Sequence, residues 1–191
     1  GTGFRCSLEI MQTAYIGMGG NLASSAGAPE ETFSAAALRL ESLGRVTRRS
    51  SLYSTAPVGF AAQPRFVNAA IALETELAPL ELLNGLLAIE KEFGRDRAAG
   101  FANGPRTLDL DILLLGDLEI RSLDLLIPHP RLAQRAFVLT PLNEIAPDIV
   151  VPGCGKTVAQ LMDSQVSQSG LDAPGDSDAV TRIGSDGWPS R

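Results

Sequence analysis

The chain has 191 residues, 45% of them hydrophobic and 20% charged, which suits one globular domain with a real core. Its net charge of −6 argues against general binding to nucleic acid or anionic membrane. No apolar run approaches the length of a membrane span, and Cys6 and Cys154 form neither a disulfide framework nor a zinc pattern, so a cytoplasmic setting is expected.

Residues 1–12 read as an N-terminal extension without the apolar stretch of a signal peptide. A short strand follows over Thr13–Met18 and closes in a turn at Gly19-Gly20-Asn21. The apolar spacing of Phe33, Ala36, Ala37, Leu40 and Leu43 predicts a helix over 29–43, stopped by Gly44. Residues 46–53 read as a second strand and 66–77 as a third. Pro79 opens a second helix, with Leu82, Leu83, Leu86, Ile89 and Phe93 on one face and Gly94 beyond its end. A fourth strand carries Asp109 and Asp111.

The order strand, helix, strand, strand, helix, strand matches a ferredoxin-like βαββαβ plan of the α+β class: an antiparallel sheet with both helices on one face, here with C-terminal additions. The additions are Pro128-His129-Pro130, a short helix near 131–135, a segment at 137–139 and a helix over 157–162. Residues 165–191 are rich in Ser, Gly and Asp and are expected to be a disordered tail. No internal repeat of solenoid period occurs.

Chemistry concentrates in Arg106-Thr107-Leu108-Asp109-Leu110-Asp111-Ile112. On a strand, alternate side chains share a face, so Asp109 and Asp111 point one way and Leu108, Leu110 and Ile112 the other. Alpha-carbons two residues apart on a strand are about 6.5–7 Å apart. Paired catalytic metal ions lie about 3.5–4 Å apart, so two such carboxylates can converge on hard cations. The loop over 94–106 leads into this strand and carries Arg95, Arg97 and Arg106, whose planar forks suit phosphate oxygens. Its glycines would let it move as a lid. A second long loop, residues 54–65, joins strands two and three, where a hairpin normally has about 2–5 residues.

Three other features carry weaker signals. Phe66 and Asn68 share a strand face, which suits a flat polar heterocycle as well as an ordinary strand end. His129 is the only histidine; with Arg131 and Arg135 nearby it leans toward anion contact over a plain turn role. Two nucleotide-binding look-alikes fail: Val150 stands where a P-loop ending in Gly155-Lys156-Thr157 needs glycine, and Leu22 occupies the third glycine of a dinucleotide fingerprint starting at Gly17. Gly17 to Leu22 is read instead as a tight turn closing the first strand.

Taken together, Tyr15-Ile16-Gly17-Met18-Gly19-Gly20-Asn21-Leu22, Ser54-Thr55-Ala56-Pro57-Val58-Gly59, Phe66-Val67-Asn68-Ala69, Gly104 to Leu113 and Pro128-His129-Pro130-Arg131 resemble the 6-hydroxymethyl-7,8-dihydropterin pyrophosphokinase family. The resemblance covers residues 13–162 and implies a pyrophosphokinase domain over 13–164, acting as a monomer on ATP and the pterin alcohol in folate synthesis. It implies that Asp109 and Asp111 ligate two Mg²⁺ ions. Arg95, Arg97 and Arg106 would meet ATP phosphates or close the lid. Glu90 would lie near the nucleotide, and His129 and Arg135 would contact phosphate or ribose. Asn68 would pair with the pterin edge between Phe66 and Phe137, and Thr55, Pro57 and Val58 would line the pocket. Asn103 stands where some members carry tryptophan, Gly20 replaces a frequent serine and Pro130 an aromatic. None of these touches the aspartates. A ligand-sensing module of the same plan would need neither paired aspartates nor an arginine loop, and an RNA-binding module fits poorly with the acidic charge.

Overall fold

The computed structural model describes residues 10–98, 100–169, 180–184 and 188. Its strands are β1 (Gln12–Gly20), β2 (Arg45–Arg49), β3 (Leu52–Thr55), β4 (Phe66–Thr75), β5 (Asp109–Leu115), the short pair β6 (Ile120–Arg121) and β7 (Leu126–Ile127), and β8 (Thr181–Ile183). Its helices are α1 (Pro29–Leu40), α2 (Pro79–Glu92), α3 (Ala136–Ile145) and α4 (Val158–Ser169). A 3₁₀ turn covers Leu132–Gln134.

The main sheet runs β5-β1-β4-β3-β8, with β2 also paired to β4, and every pairing is antiparallel. The expected βαββαβ core is therefore present. Both of its helices start at proline, and in each the glutamate of the first turn reaches back to the preceding N–H: Glu31 to Ala28 at 2.7 Å and Glu81 to Ala78 at 2.9 Å. Phe33, Ala36 and Leu40 of α1 and Leu82, Leu86 and Ile89 of α2 pack on one sheet face, against Ile16, Ile71 and Leu110.

Two expectations need correcting. The strand expected over 46–53 is broken at Ser50-Ser51 into β2 and β3. There Ala70 N–H donates to the Ser50 hydroxyl (2.9 Å), so a side chain takes a ladder position that a carbonyl would otherwise fill. The two core helices share one face as expected, and the C-terminal additions take the other: α3 and α4 bring Leu139, Leu142, Ile145, Val158 and Leu161 onto it. β4 is buried almost throughout, and its Ala70 and Ala72 are small enough to let α3 approach. Finally, the stretch expected as a disordered tail includes the end of α4, strand β8 on the edge of β3, and a buried Trp188. Trp188 finds an apolar neighbour in Phe33, with ring centroids 6.4 Å apart.

Candidate active site

The site lies on the second sheet face, where β5 presents its aspartates. Leu108, Leu110 and Ile112 are buried under α1 and α2, so the alternation expected of this strand is realised. β5 pairs with β1 so that Asp111 faces Gly17 and Asp109 faces Gly19. On its other edge β1 pairs with β4, setting Gly19 opposite Asn68. Directly opposed antiparallel residues share a face. The two glycines thus leave a trough, with carboxylates on one bank and the Asn68 amide on the other. The segment read as a tight turn after Met18 is strand through Gly20. The missed signal was period two: Gly17 and Gly19 alternate with the buried Ile16 and Met18.

Asp109 is gripped by two arginines. Its Oδ2 lies 3.3 Å from Arg106 Nε, and its Oδ1 lies 3.6 Å from Arg97 Nη2. Asp111 has a different environment. Burial, reinforced by the charges of Asp109 and Glu90, pushes its carboxyl up to about 6. Such a site holds surplus negative charge that a cation would relieve. Among the described residues no third His, Cys, Asp or Glu completes a metal-binding cluster. Magnesium suits such a half-shell, since it is usually bound through one or two carboxylates plus phosphate oxygens and water.

Glu90, in the last turn of α2, has its side chain only 1% exposed. It accepts from Leu110 N–H at 2.8 Å and from Arg97 Nε and Nη2 at 2.9 and 2.8 Å. Burial raises its pKa, while the Leu110 and Arg97 hydrogen bonds pull it back. One buried carboxylate therefore joins α2, β5 and the arginine loop.

Beside the trough is a slot lined by Thr55, Val58, Phe66, Asn68 and Phe137, sharing Asn68, Arg106, Arg135 and Phe137 with the aspartate cavity. Asn68 Nδ2 donates to Thr55 Oγ1 (2.8 Å), which fixes the amide's orientation. Arg106 lies over the Phe66 ring, 4.7 Å from its centroid, and Arg135 over Phe137 at 5.4 Å. Each cavity has about 30 Å³ of free space, room for water only, so admitting a bicyclic ring requires the flanking loops to shift.

Those loops are joined to each other. Phe60 and Phe101 meet edge to face at 5.5 Å, and Gln63 Nε2 donates to Asn103 O at 2.8 Å. Asn21 is the hub that the sequence did not reveal. Its Nδ2 donates to Gln63 Oε1 (3.0 Å) and Pro64 O (2.9 Å), and its Oδ1 accepts from Arg106 N–H (2.9 Å).

Five expected residues line neither cavity: Arg97 and Glu90 adjoin the aspartates through the contacts above, and three others stand further apart. Pro57 lines neither. Arg95 caps α2 through its N–H to Glu90 O (3.0 Å), and its buried Nε has no hydrogen-bond partner among the described residues. His129 borders a separate, larger cavity of about 340 Å³ that also meets Ile127, Pro130 and Leu161. Burial, then Arg135 and Arg131, lower its pKa, so its imidazole is neutral at pH 7.

A carboxylate pair on a rigid strand, bordered by arginines and by a slot lined by Phe66, Asn68 and Phe137, fits the class of small α+β phosphotransferases. Residues 15–147 match the model of the 7,8-dihydro-6-hydroxymethylpterin-pyrophosphokinase family. The chain is 45% identical over 155 residues to the 2-amino-4-hydroxy-6-hydroxymethyldihydropteridine pyrophosphokinase of Pseudomonas aeruginosa, covering 80% of this chain and 91% of that one. It is 44% identical over 144 residues to a mitochondrial folate synthesis bifunctional protein of Arabidopsis thaliana, covering 73% of this chain and 25% of that one. A crystal structure of Plasmodium falciparum HPPK-DHPS superposes with a TM-score of 0.67 at 16% identity, over 85% of this chain and 44% of that one, and supports the fold. The chain belongs to the 7,8-dihydro-6-hydroxymethylpterin-pyrophosphokinase family. It is a diphosphotransferase of folate synthesis that moves diphosphate from ATP to 6-hydroxymethyl-7,8-dihydropterin.

Proposed function

We propose that the transfer takes place across the glycine trough, with ATP phosphates on the Asp109 and Asp111 side and the pterin in the slot beyond Asn68. The observation that carries this reading is the register, which sets Asp109 and Asn68 on opposite sides of the same residue, Gly19. Asp109 and Asp111 would hold two Mg²⁺ ions. When bound, magnesium would neutralise phosphate charge and acidify the acceptor alcohol. The Asp111 carboxyl, buried and short of positive charge, fits that role.

The remaining work falls to this chain's side chains. Asn68, held by Thr55, presents amide hydrogen-bonding groups to the pterin edge, and Phe66 and Phe137 supply apolar faces. Arg97 and Arg106 neutralise charge developing on the phosphoryl oxygens, and Arg135 borders both cavities. Val58 closes the slot from the loop side. In this reading Glu90 acts by positioning Arg97, and Arg95, His129 and Pro57 act at the rim or on the nucleotide's outer part. The hydroxymethyl oxygen attacks the β-phosphorus in line. A new O–P bond forms as the bond to the bridging α–β oxygen breaks, AMP leaves with the electron pair, and the alcohol proton passes to solvent. We read the chain as a cytoplasmic monomer; no helix among the described residues is long and apolar enough to cross a membrane.

Incubation with ATP, Mg²⁺ and the pterin alcohol should release AMP. An Asp109→Ala, Asp111→Ala double variant should lose more than the factor of about 10²–10³ in kcat typical of one electrostatic contact. Near-normal Mg²⁺-dependent AMP release by that variant would refute the assignment.

A further inference from the structure

The bend that splits β2 from β3 is held from both faces of the sheet. Ser50 is fully buried. Its hydroxyl occupies the ladder position facing Ala70, so its own carbonyl is left to find another donor. That donor is Trp188 Nε1, at 2.7 Å. The indole is 6% exposed, sits edge-on to Phe33 and lies under the Arg49 guanidinium, 5.4 Å from the ring centroid. On the other face the Glu144 carboxylate of α3 accepts three hydrogen bonds: from Ser51 N–H at 2.9 Å, from Ser51 Oγ at 2.8 Å and from Tyr53 OH at 2.7 Å. Burial, then the bond to Glu144, pushes the Tyr53 phenol up to about 12, so it remains a donor through any working pH. The outer edge of β3 is paired with β8, Leu52 opposite Ile183 and Ser54 opposite Thr181.

These contacts converge on the slot. β3 ends at Thr55, the residue that orients Asn68, and Tyr53 stands directly opposite Asn68 in register. α3, which carries Glu144, also carries Phe137 in its first turn, on the other wall of the slot. Glu144 is thus a strut between the two walls, and Trp188 fixes the point from which one wall springs. Trp188 lies outside the stretch that matches the family model.

We propose that Trp188 and Glu144 are positioning residues for the pterin: by clamping the Ser50-Ser51 bend they set the width of the slot between Thr55 and Phe137. The inference rests on the reading of that slot as the pterin site.

The test uses the full chain and steady-state kinetics for both substrates. Trp188→Phe removes the Nε1–H donor and trims the ring while keeping an aromatic group against Phe33. Glu144→Gln keeps the shape and weakens the triple acceptor. Each should raise the KM for the pterin about three- to tenfold, the usual effect of one lost hydrogen bond, with kcat and the KM for ATP within about twofold of wild type. Equal changes in both KM values, or a fall in Tm with an unchanged pterin KM, would overturn the inference and leave a structural role only. Should Trp188→Phe not fold, Glu144→Gln and Tyr53→Phe, which leave the core intact, decide alone. Asn68→Ala in the same assay separates the two levels. If it leaves the pterin KM unchanged, the slot reading itself fails. If it raises that KM while the bend variants do not, only the clamp is wrong.

Discussion

The strands under the site and the loops over it are built differently. Below, β5, β1 and β4 form a continuous ladder with a buried apolar face behind it, and the ladder sets Asp109, Asp111 and Asn68 beside the trough. Above, residues 54–65 and 94–106 meet through one aromatic pair, Gln63 and the Asn21 hub. Phe60 and Phe101 remain 44% and 58% exposed, so little apolar burial holds the loops down. The strands suit groups whose separation must not change, and the loops suit groups that must part to admit a ring and then close.

That contrast is open to attack from either side. Filling the trough should do the greatest harm. A Cβ on Gly19 meets only Asn68 Oδ1, at 3.5 Å, so the fold should tolerate Gly19→Ala while kcat/KM falls about 10–200-fold, the range for one added carbon in a pocket. Wild-type circular dichroism with that loss would sharpen the contrast; full activity would break it. Arg97→Ala removes a bidentate partner of Glu90 and a neighbour of Asp109, and should cost about 10–100-fold in kcat/KM with the fold intact. Loss of the fold would show that Arg97 belongs to the scaffold. Phe101→Ala should raise both KM values only about two- to tenfold, since it loosens the loops and leaves the strands alone. A collapse of kcat would mean that the loops do chemistry.

One further effect concerns stability rather than turnover. Asp111 titrates at about 6 in the folded chain, against an ordinary carboxylate value of 3.8. Between those pH values the folded state holds the proton that the unfolded state has released. Stability of the metal-free protein should therefore fall as pH rises from about 4 to 6 and change no further above that range on this group's account. Asp111→Asn should flatten that slope in a series of thermal melts, and an unaltered slope would place its origin elsewhere.

Much of the scaffold was legible because it obeys local rules. Proline at the start and glycine beyond the end marked α2, and the alternation of leucine and aspartate in β5 gave the direction of every side chain there. The misses have physical causes. Serine hydroxyls can replace ladder carbonyls, and nothing local announces that Ser50 does so. Gly17 and Gly19 resembled turn residues because their value lies in what they omit between two strands not yet placed. α3 was hidden by Pro141 within it, and its sheet face was decided by the small Ala70 and Ala72 on a distant strand. Trp188 stands in a polar stretch whose composition argued for disorder, and its partner Ser50 is 138 residues away in sequence. The aspartates and the arginine loop were visible, whereas the joining roles of Glu90 and Asn21 depend on contacts between elements.

The most direct test of the trough is a thermal shift with Mg²⁺ and a non-hydrolysable ATP analogue, on wild type and on an Asp109→Asn, Asp111→Asn double variant. Ligand bound to the folded state alone raises Tm. Wild type should be stabilised fully only when metal and nucleotide are both present, and the double variant should lose that dependence. An equal, metal-dependent shift in the double variant would contradict the assignment of the two aspartates.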